Sequence, residues 1–331
     1  MKIYPWQLPV WQRIHQQKER MSHALLLHGR SGTGKLDFAQ HLSQALLCSA
    51  PKGGEACDIC PQCTWFKEGA HPDFKYITPE DAETSEDAPK KKISKKTQIS
   101  VDQIRQLIQA LSLTNHGVNS LRVVLIHPAE SLNTASANAL LKVLEEPPNN
   151  TIFILVTHQI HRLLPTILSR CQSIAMPLPA RDEAVAWLTT QKVANAADAL
   201  DYYGGAPLTV LQAQQDLSAQ SGVFQQLAKG AKLDGAVCAG LLVEQGMEQA
   251  ITLLQKWMFD LQLSLHNMPT HYHLAMVKPL QALAKSVNLT SFLDFQRALV
   301  QAKQTANHPL SQELQLEVLL LQYKRVFKHS L

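Results

Sequence analysis

The sequence has 331 residues, of which 45% are hydrophobic and 18% are charged. These proportions exclude a chain that is disordered throughout, and the length favours two or three domains over one. The formal net charge of +4, from 31 basic and 27 acidic residues, is too balanced to define a dedicated nucleic-acid binder.

The N-terminal segment and the hydropathy pattern give no sign of a secretory or membrane protein. Residues Met1–Trp6 lack the apolar core of a signal peptide, and no apolar stretch approaches the length of a membrane span. We therefore expect a cytoplasmic protein with no membrane partner. In that reducing compartment the six cysteines, four of them between residues 48 and 63, favour a metal site over disulfides.

A phosphate-binding loop is predicted close to the N-terminus. The apolar run 23–28 indicates a buried strand, and a glycine-rich segment that matches the P-loop pattern follows it. An amphipathic helix should come next, since apolar residues recur there at three- and four-residue spacing. In such a loop the backbone N–H groups bind phosphate oxygens and the lysine reaches the terminal phosphates. The candidate nucleotide-binding residues are Gly29, Gly32, Gly34 and Lys35.

Three positions around this P-loop lack the groups that ATP hydrolysis requires. Leu36 occupies the place of the serine or threonine whose hydroxyl ligates Mg²⁺. The predicted strand 121–126 ends at His127 and Pro128, where an aspartate for the metal and a glutamate for the attacking water are needed. Imidazole is a poor magnesium ligand, and proline has no functional side chain. We therefore predict no intrinsic ATPase activity and leave nucleotide binding open, because Lys35 and the glycines are retained.

Four cysteines in the pattern C-x8-C-x2-C-x2-C predict a metal-binding knuckle at residues 48–63. Four thiolates on a short segment can close a tetrahedral zinc site with no position left for water, so a structural role is expected. An iron–sulfur cluster is the main alternative, but a ferredoxin run requires a cysteine and a proline where Lys67 and Glu68 stand. Cys238 is interpreted as a core thiol. The predicted zinc ligands are Cys48, Cys57, Cys60 and Cys63.

Strands and helices alternate through the first half of the chain. Further strands are predicted at 74–78 and 151–157, and a capping box at Ser100 and Gln103 indicates the start of a helix. The segment 80–97, acidic and then basic with an internal proline, is predicted to be a flexible surface loop. This alternation indicates a parallel α/β sheet with helices on both faces.

The second half of the chain has only helical patterns. A small helical domain is predicted at 178–215, and a longer helical segment follows at 216–331. We interpret a three-four repeat in this segment as the core of an intramolecular helix bundle. The repeat consists of Ile251, Leu254, Met258, Leu261 and Leu265.

The order of features along the chain is specific. A P-loop, an inserted four-cysteine knuckle, the stretch ANALLKVLEEPP at 137–148 and the Ser169-Arg170-Cys171 motif follow one another. Together they resemble the clamp-loader branch of the AAA+ family, over residues from about 4 to about 210.

The resemblance implies a fold and a set of site residues. A RecA-like domain would span residues 1–177, followed by a helical lid at 178–215 and a helical collar at 216–331 that joins five subunits into a ring. Thr157 would take the sensor 1 position, and Leu208 would replace the lid arginine of a working ATPase. The resemblance also assigns Arg170, flanked in its motif by Ser169 and Cys171, as an arginine finger that acts in trans on a neighbouring subunit.

The decayed nucleotide motifs are similar to those of a non-hydrolysing clamp-loader subunit. Such a subunit belongs to a DNA-directed DNA polymerase holoenzyme and helps to load the sliding clamp onto primed DNA. The implied partners are the ATP-hydrolysing gamma/tau subunits, the delta subunit, the sliding clamp and primer–template DNA.

Two other functions fit parts of the sequence. A stand-alone P-loop NTPase or kinase would explain Lys35, but it does not explain Leu36, His127 and Pro128. A zinc-containing DNA-binding module would explain the knuckle and the slight basicity, yet the flanks of the knuckle do not interleave basic and aromatic residues as stacking platforms do. ATPase and salt-dependent DNA-binding assays of the isolated chain would discriminate these alternatives.

Overall fold

The structure is a computed structural model that describes residues 3–16, 21–79, 98–113, 121–213, 217–304 and 311–327. The chain divides into two compact units, Met1–Glu183 and Ala184–Leu331. The predicted surface loop 80–97 lies outside the described residues. Within the described ranges, every helix is too short or too polar to cross a membrane.

A parallel sheet forms the centre of the first unit. In the described part of the chain its strand order is β2-β3-β4-β1-β5, and all neighbouring strands are parallel. The four strands predicted from apolar runs are confirmed, with each end placed within one residue. The strands are β1 (Ala24–His28), β2 (Phe74–Ile77), β3 (Arg122–Ile126), β4 (Thr151–Thr157) and β5 (Gln172–Ala175).

Helices connect these strands and cover both faces of the sheet. The predicted capping box is confirmed at the start of the fourth helix: the Ser100 N–H donates to Gln103 Oε1 at 2.9 Å, and the Gln103 N–H donates to Ser100 Oγ at 3.3 Å. The helices are α1 (Leu8–Gln16), α2 (Lys35–Leu47), α3 (Pro61–Lys67), α4 (Val101–Leu113), α5 (Thr134–Glu145) and α6 (Pro165–Leu168).

The sheet separates two hydrophobic cores because successive strand side chains point to opposite faces. Leu25 and Leu27 of β1 pack with Phe38 of α2 on one face. Leu26 packs on the other face with residues of α4 and α5, such as Leu140. All these residues are fully buried. The P-loop therefore connects a buried strand to a helix that is anchored on one face of the sheet.

The second unit is helical throughout its described residues, as predicted. One core, around Leu188 and Val210, is separate from a larger core that includes Trp257. Four residues of the predicted repeat lie in the larger core, which confirms an intramolecular bundle. The helices are α7 (Arg181–Thr190, which begins in the first unit), α8 (Ala196–Tyr202), α9 (Pro207–Gln212), α10 (Leu217–Leu227), α11 (Gly235–Val243), α12 (Met247–Leu265), α13 (Val277–Ala284), α14 (Leu289–Gln304) and α15 (Gln312–Arg325).

Candidate functional site

The P-loop lies between β1 and α2, as the sequence predicts. Gly34 caps α2 with a φ of 80°, a left-handed conformation that favours glycine. A Cβ atom at this position would lie 2.4 Å from the ring of Tyr4, and one at Gly29 would lie 2.4 Å from the Met176 carbonyl oxygen. The glycines are therefore required by the contacts of the loop within this chain.

The N-terminal segment covers the loop. Trp6 Nε1 donates to the Thr33 carbonyl at 3.0 Å, while Gln7 Nε2 donates to the carbonyls of Thr33 and Gly34 at 2.9 and 2.8 Å. Tyr4 donates its hydroxyl to Asp37 at 3.1 Å, and burial, together with the Asp37 charge, raises the pKa of Tyr4 to about 12. These hydrogen bonds tie the N-terminal segment to the P-loop and to the first turn of α2.

Lys35 is directed into the protein. Its side chain is 2% exposed, and Nζ donates to the Arg30 carbonyl at 2.5 Å. Burial lowers the pKa of Lys35 to about 8, although the charge of Glu130 acts in the opposite direction. The ammonium would have to exchange its carbonyl partner for a phosphate oxygen before it could bind a nucleotide.

Two imidazoles lie close together at the carboxyl ends of β3 and β4. His127 follows β3, and its Nε2 lies 3.2 Å from Nε2 of His158, which follows β4. Burial, with the adjacent His158, lowers the pKa of His127 to about 4, so the ring is neutral at pH 7. Leu36 supplies no hydroxyl group. The residues named for the metal in the sequence therefore offer no hard oxygen ligand.

Sequence reasoning missed Glu130, His158 and His28 near Lys35. Glu130 Oε1 accepts the His158 N–H at 3.1 Å, and burial, followed by the Lys35 charge, lowers the pKa of His28. Imidazoles stand at the carboxyl ends of β1, β3 and β4, which meet at one edge of a parallel sheet. That repeated position was the signal by which the sequence could have identified the cluster.

Thr157, the proposed sensor 1 residue, is the last residue of β4. It is fully buried, and its Oγ1 accepts the Gln159 N–H at 3.1 Å. The Thr157 hydroxyl thus stabilises the turn that contains His158. Thr157 itself lies at the carboxyl end of β4, on the same edge of the sheet as the histidines near Lys35.

The four predicted zinc ligands come together. One sulfur atom from each of them lies within 4.8 Å of all the others. Cys48 caps the C-terminus of α2, and Cys60 caps the N-terminus of α3, where its sulfur accepts the Cys63 N–H at 3.5 Å. A hydrogen bond from the Ile59 backbone lowers the pKa of Cys57, whereas burial raises the pKa of Cys63 to about 12. The cluster has the ligand number and spacing of a closed tetrahedral site.

Side chains of α1 and α2 anchor the cysteine segment. His15 Nε2 lies 2.7 Å from the Gly54 carbonyl oxygen, and His41 Nε2 lies 2.5 Å from Glu55 Oε2. Gln44 Nε2 donates to Asp58 at 3.0 Å. These contacts fix the segment between Cys48 and Cys60 to α1 and α2.

Arg170 lies just after α6 and is held by its own subunit. Its Nη2 pairs with Glu145, the last residue of α5, and its Nη1 donates to the Thr166 carbonyl at 2.9 Å and to Ser169 Oγ at 3.3 Å. The Arg170 side chain remains 32% exposed. The thiol of Cys171 is protonated, because burial raises its pKa to about 11.

A parallel sheet of this order, with a P-loop between β1 and α2, defines the P-loop α/β class. The chain resembles the crystal structure of a DNA polymerase III, gamma subunit-related protein from Thermotoga maritima, with a TM-score of 0.50 and 18% identity, over 97% of this chain and 99% of that one. At this identity, the likeness supports the fold alone.

Sequence comparisons identify the family. A family model described as "DNA polymerase III, delta subunit" matches residues 6–179. The DNA polymerase III subunit delta' of Pseudomonas aeruginosa is 36% identical over 97% of both chains. The subunit delta' of Escherichia coli is 35% identical over 60% of this chain and 56% of its own length. The chain belongs to the DNA polymerase III delta' family.

Proposed function

We propose that this chain is a non-hydrolysing clamp-loader subunit of the DNA polymerase III holoenzyme that helps to load the sliding clamp onto primed DNA. Membership of the delta' family supports the role, and the observation that carries it is the contrast between two sites. The P-loop has an inward-facing lysine and no oxygen ligand at Leu36 or His127, whereas Arg170 is part-exposed at the end of α6. The chain would act in the cytoplasm, on the ATP site of another subunit.

The absence of hydrolysis is tested on the isolated chain. With Mg²⁺-ATP we expect no turnover, because Leu36, His127 and Pro128 supply neither a metal ligand nor a group to polarise water. Nucleotide binding, if any, would use the loop amides and Lys35. Turnover that disappears in Lys35→Ala would contradict the proposal and favour a stand-alone NTPase.

Arg170, within its Ser169-Arg170-Cys171 motif, would complete the ATP site of a neighbouring gamma/tau subunit. A guanidinium suits this task because it is always charged and presents several donors to phosphoryl oxygens as charge develops in the transition state. Arginine fingers contribute roughly 10³- to 10⁵-fold at the site they serve. A ring with several ATP sites should lose less in total, since only one site depends on this residue.

The decisive experiment reconstitutes the complex with the Arg170→Ala chain, gamma/tau and delta. We expect intact assembly with reduced DNA-stimulated ATPase activity and reduced loading of the clamp onto primer–template DNA. Arg105→Ala is the matched control, because Arg105 is exposed on α4 and, within the part of the chain that the structure describes, pairs along its own helix with Asp102 at 3.3 Å. Normal loading by an assembled Arg170→Ala complex would overturn the proposed role.

We further propose that the cysteine cluster binds one structural zinc ion through Cys48, Cys57, Cys60 and Cys63. A sulfur spacing that closes around a single ion, with side chains already fixing the loop, supports this assignment. Metal analysis should find about one zinc per chain, and Cys60→Ser should release it while the sheet remains folded. Cys238→Ala should retain the metal, because Cys238 lies in the helical core. An iron–sulfur absorption spectrum would contradict the proposal.

The chain would form a lid at 178–215 and a collar at 216–331, and all but the first six residues of the lid lie in the second unit. Two separate hydrophobic cores support this division. The collar would bind neighbouring subunits through apolar stripes, whose exposed residues are three, four or seven positions apart on two adjacent helices. These stripes are Leu289, Leu293 and Val300 on α14, and Leu314, Val318 and Leu321 on α15.

A further inference from the structure

We propose that Glu145 is a positioning residue that orients Arg170 for the neighbouring ATP site. The inference rests on the proposed function of Arg170, and it adds a residue that the arginine-finger motif itself does not contain. Glu145 precedes Arg170 by 25 positions and ends a different helix, α5.

The geometry directs specific donors of the guanidinium to partners within the chain. Glu145 accepts from Nη2, and the Thr166 carbonyl and Ser169 Oγ both accept from Nη1. The Nη1 contacts lie within the α6 turn, so they restrain the arginine only relative to its own segment. Glu145 is the contact that ties the guanidinium to the sheet domain through α5.

The donor count leaves capacity for a ligand. A guanidinium has five N–H donors, of which two on Nη1 and one on Nη2 are used by these partners. The Nε atom is buried and has no acceptor among the described residues. The second N–H group of Nη2 is therefore available for a phosphoryl oxygen, whereas Nε would first have to become exposed. Glu145 can stay bonded to the other Nη2 proton while this occurs.

The Glu145–Arg170 ion pair is weak enough to orient the arginine without keeping it from a phosphate. Glu145 is 50% exposed and Arg170 is 32% exposed, and ion pairs in such surroundings are weak. A weak pair is unable to withhold the arginine from a phosphate that carries several charges. The pair is nevertheless sufficient to restrict the rotamers of the Arg170 side chain. Less conformational entropy is then lost when Arg170 binds the phosphate at the neighbouring site.

A double-mutant cycle in the reconstituted complex tests the inference. Glu145→Ala should lower the maximal DNA-stimulated rate at the Arg170-dependent site by roughly threefold to tenfold, as expected for one side chain that must be ordered. KM for ATP should stay unchanged, because the arginine acts on the transition state. In an Arg170→Ala background, Glu145→Ala should have no further effect. Glu145→Gln, which retains the shape and a neutral acceptor, should lie between wild type and Glu145→Ala.

Glu146→Ala is the matched control, since Glu146 is the next residue and is exposed at the helix end. Helical content and complex assembly should match wild type in each variant. An unchanged rate in Arg170→Ala would sink the arginine-finger proposal itself. A reduced rate in Arg170→Ala with wild-type rates in both Glu145 variants would overturn only the role of Glu145. A rise in rate, or an equal loss in the Arg170→Ala background, would also overturn it.

Discussion

The polar groups around Lys35 in the first unit and around Asp260 in the second are both buried, but they are paired differently. Asp260 is fully buried, and its oxygens accept the N–H groups of His271, Tyr272 and His273 at 2.6 to 3.2 Å and the His273 ring at 2.8 Å. Near Lys35, Glu130 Oε2 has no partner among the described residues.

The two sites differ in how many of their buried polar atoms have a hydrogen-bond partner among the described residues. A carboxylate whose lone pairs are all occupied stabilises the fold and has no capacity left for a ligand. Burial alone would raise the pKa of Asp260, but hydrogen bonds from His273 and from the three backbone N–H groups lower it. Near Lys35, by contrast, a buried oxygen of Glu130 has no hydrogen-bond partner among the described residues. Residues of the two sites should therefore respond differently to substitution.

The largest effect is expected for Asp260→Asn. The amide cannot accept from all the donors that surround it, so three backbone N–H groups lose a charged partner. We expect the free energy of unfolding to fall by about 3–5 kcal/mol, the cost of removing one member of a buried charged network. In the wild type this contribution is complete above about pH 4 and is lost as the pH falls through the lowered pKa of Asp260.

Chemical denaturation and hydrogen exchange at residues 271–273 measure this effect. Asp294→Asn is the control, because Asp294 is exposed and pairs with Arg297 at 3.5 Å along one helix. It should change stability by about 0.5 kcal/mol or less. If both variants lose a similar free energy of unfolding, the hydrogen bonds to Asp260 contribute no more to stability than an exposed ion pair does.

A smaller loss is expected for Gly34→Ala. An alanine here must keep the left-handed backbone conformation of Gly34, which costs about 1–2 kcal/mol. Its methyl group would also lie 2.4 Å from the Tyr4 ring, and this overpacking costs about 1–3 kcal/mol more, the range seen for overpacked cores. Gly69→Ala isolates the backbone contribution, because Gly69 has a φ of 71° and a methyl group added there would meet no atom within 4 Å. Denaturation of both variants measures the difference. Equal losses of unfolding free energy in Gly34→Ala and Gly69→Ala would show that Tyr4 does not pack closely against Gly34.

The smallest effect, with the opposite sign, is expected for Lys35→Met. A buried charge is replaced by an apolar side chain of similar size, so stability near pH 7 should change by about 1 kcal/mol or less, towards greater stability. The folded pKa of about 8 lies below the unfolded value, so the wild type should gain stability as the pH rises from about 8 to about 10.

Lys35→Met should lack this gain, whereas Lys142→Met, which removes an exposed lysine of α5, should keep it. Denaturation midpoints measured across this pH range decide the matter. A pH dependence that persists in Lys35→Met would show that another group is responsible for it.

Much of the fold was predictable because its signals are local. The apolar runs predicted four of the strands, and Ser100 with Gln103 predicted the start of α4. The cysteine spacing also predicted a cluster that the structure brings together. In each case neighbouring residues encode backbone geometry or ligand type, so no knowledge of distant contacts was needed.

By itself, the sequence determined which chemical groups this protein has and which it lacks: a P-loop lysine, four clustered thiols, and no serine or aspartate for magnesium. Tertiary structure alone decided which of these groups meet. Tyr4 covers Gly34, Glu145 pairs with Arg170, and the carboxylate of Asp260 binds backbone N–H groups 11 to 13 residues further along the chain. The physical reason is that spacing along the chain sets the backbone and the residue types, whereas contacts between separate elements depend on how helices and strands pack.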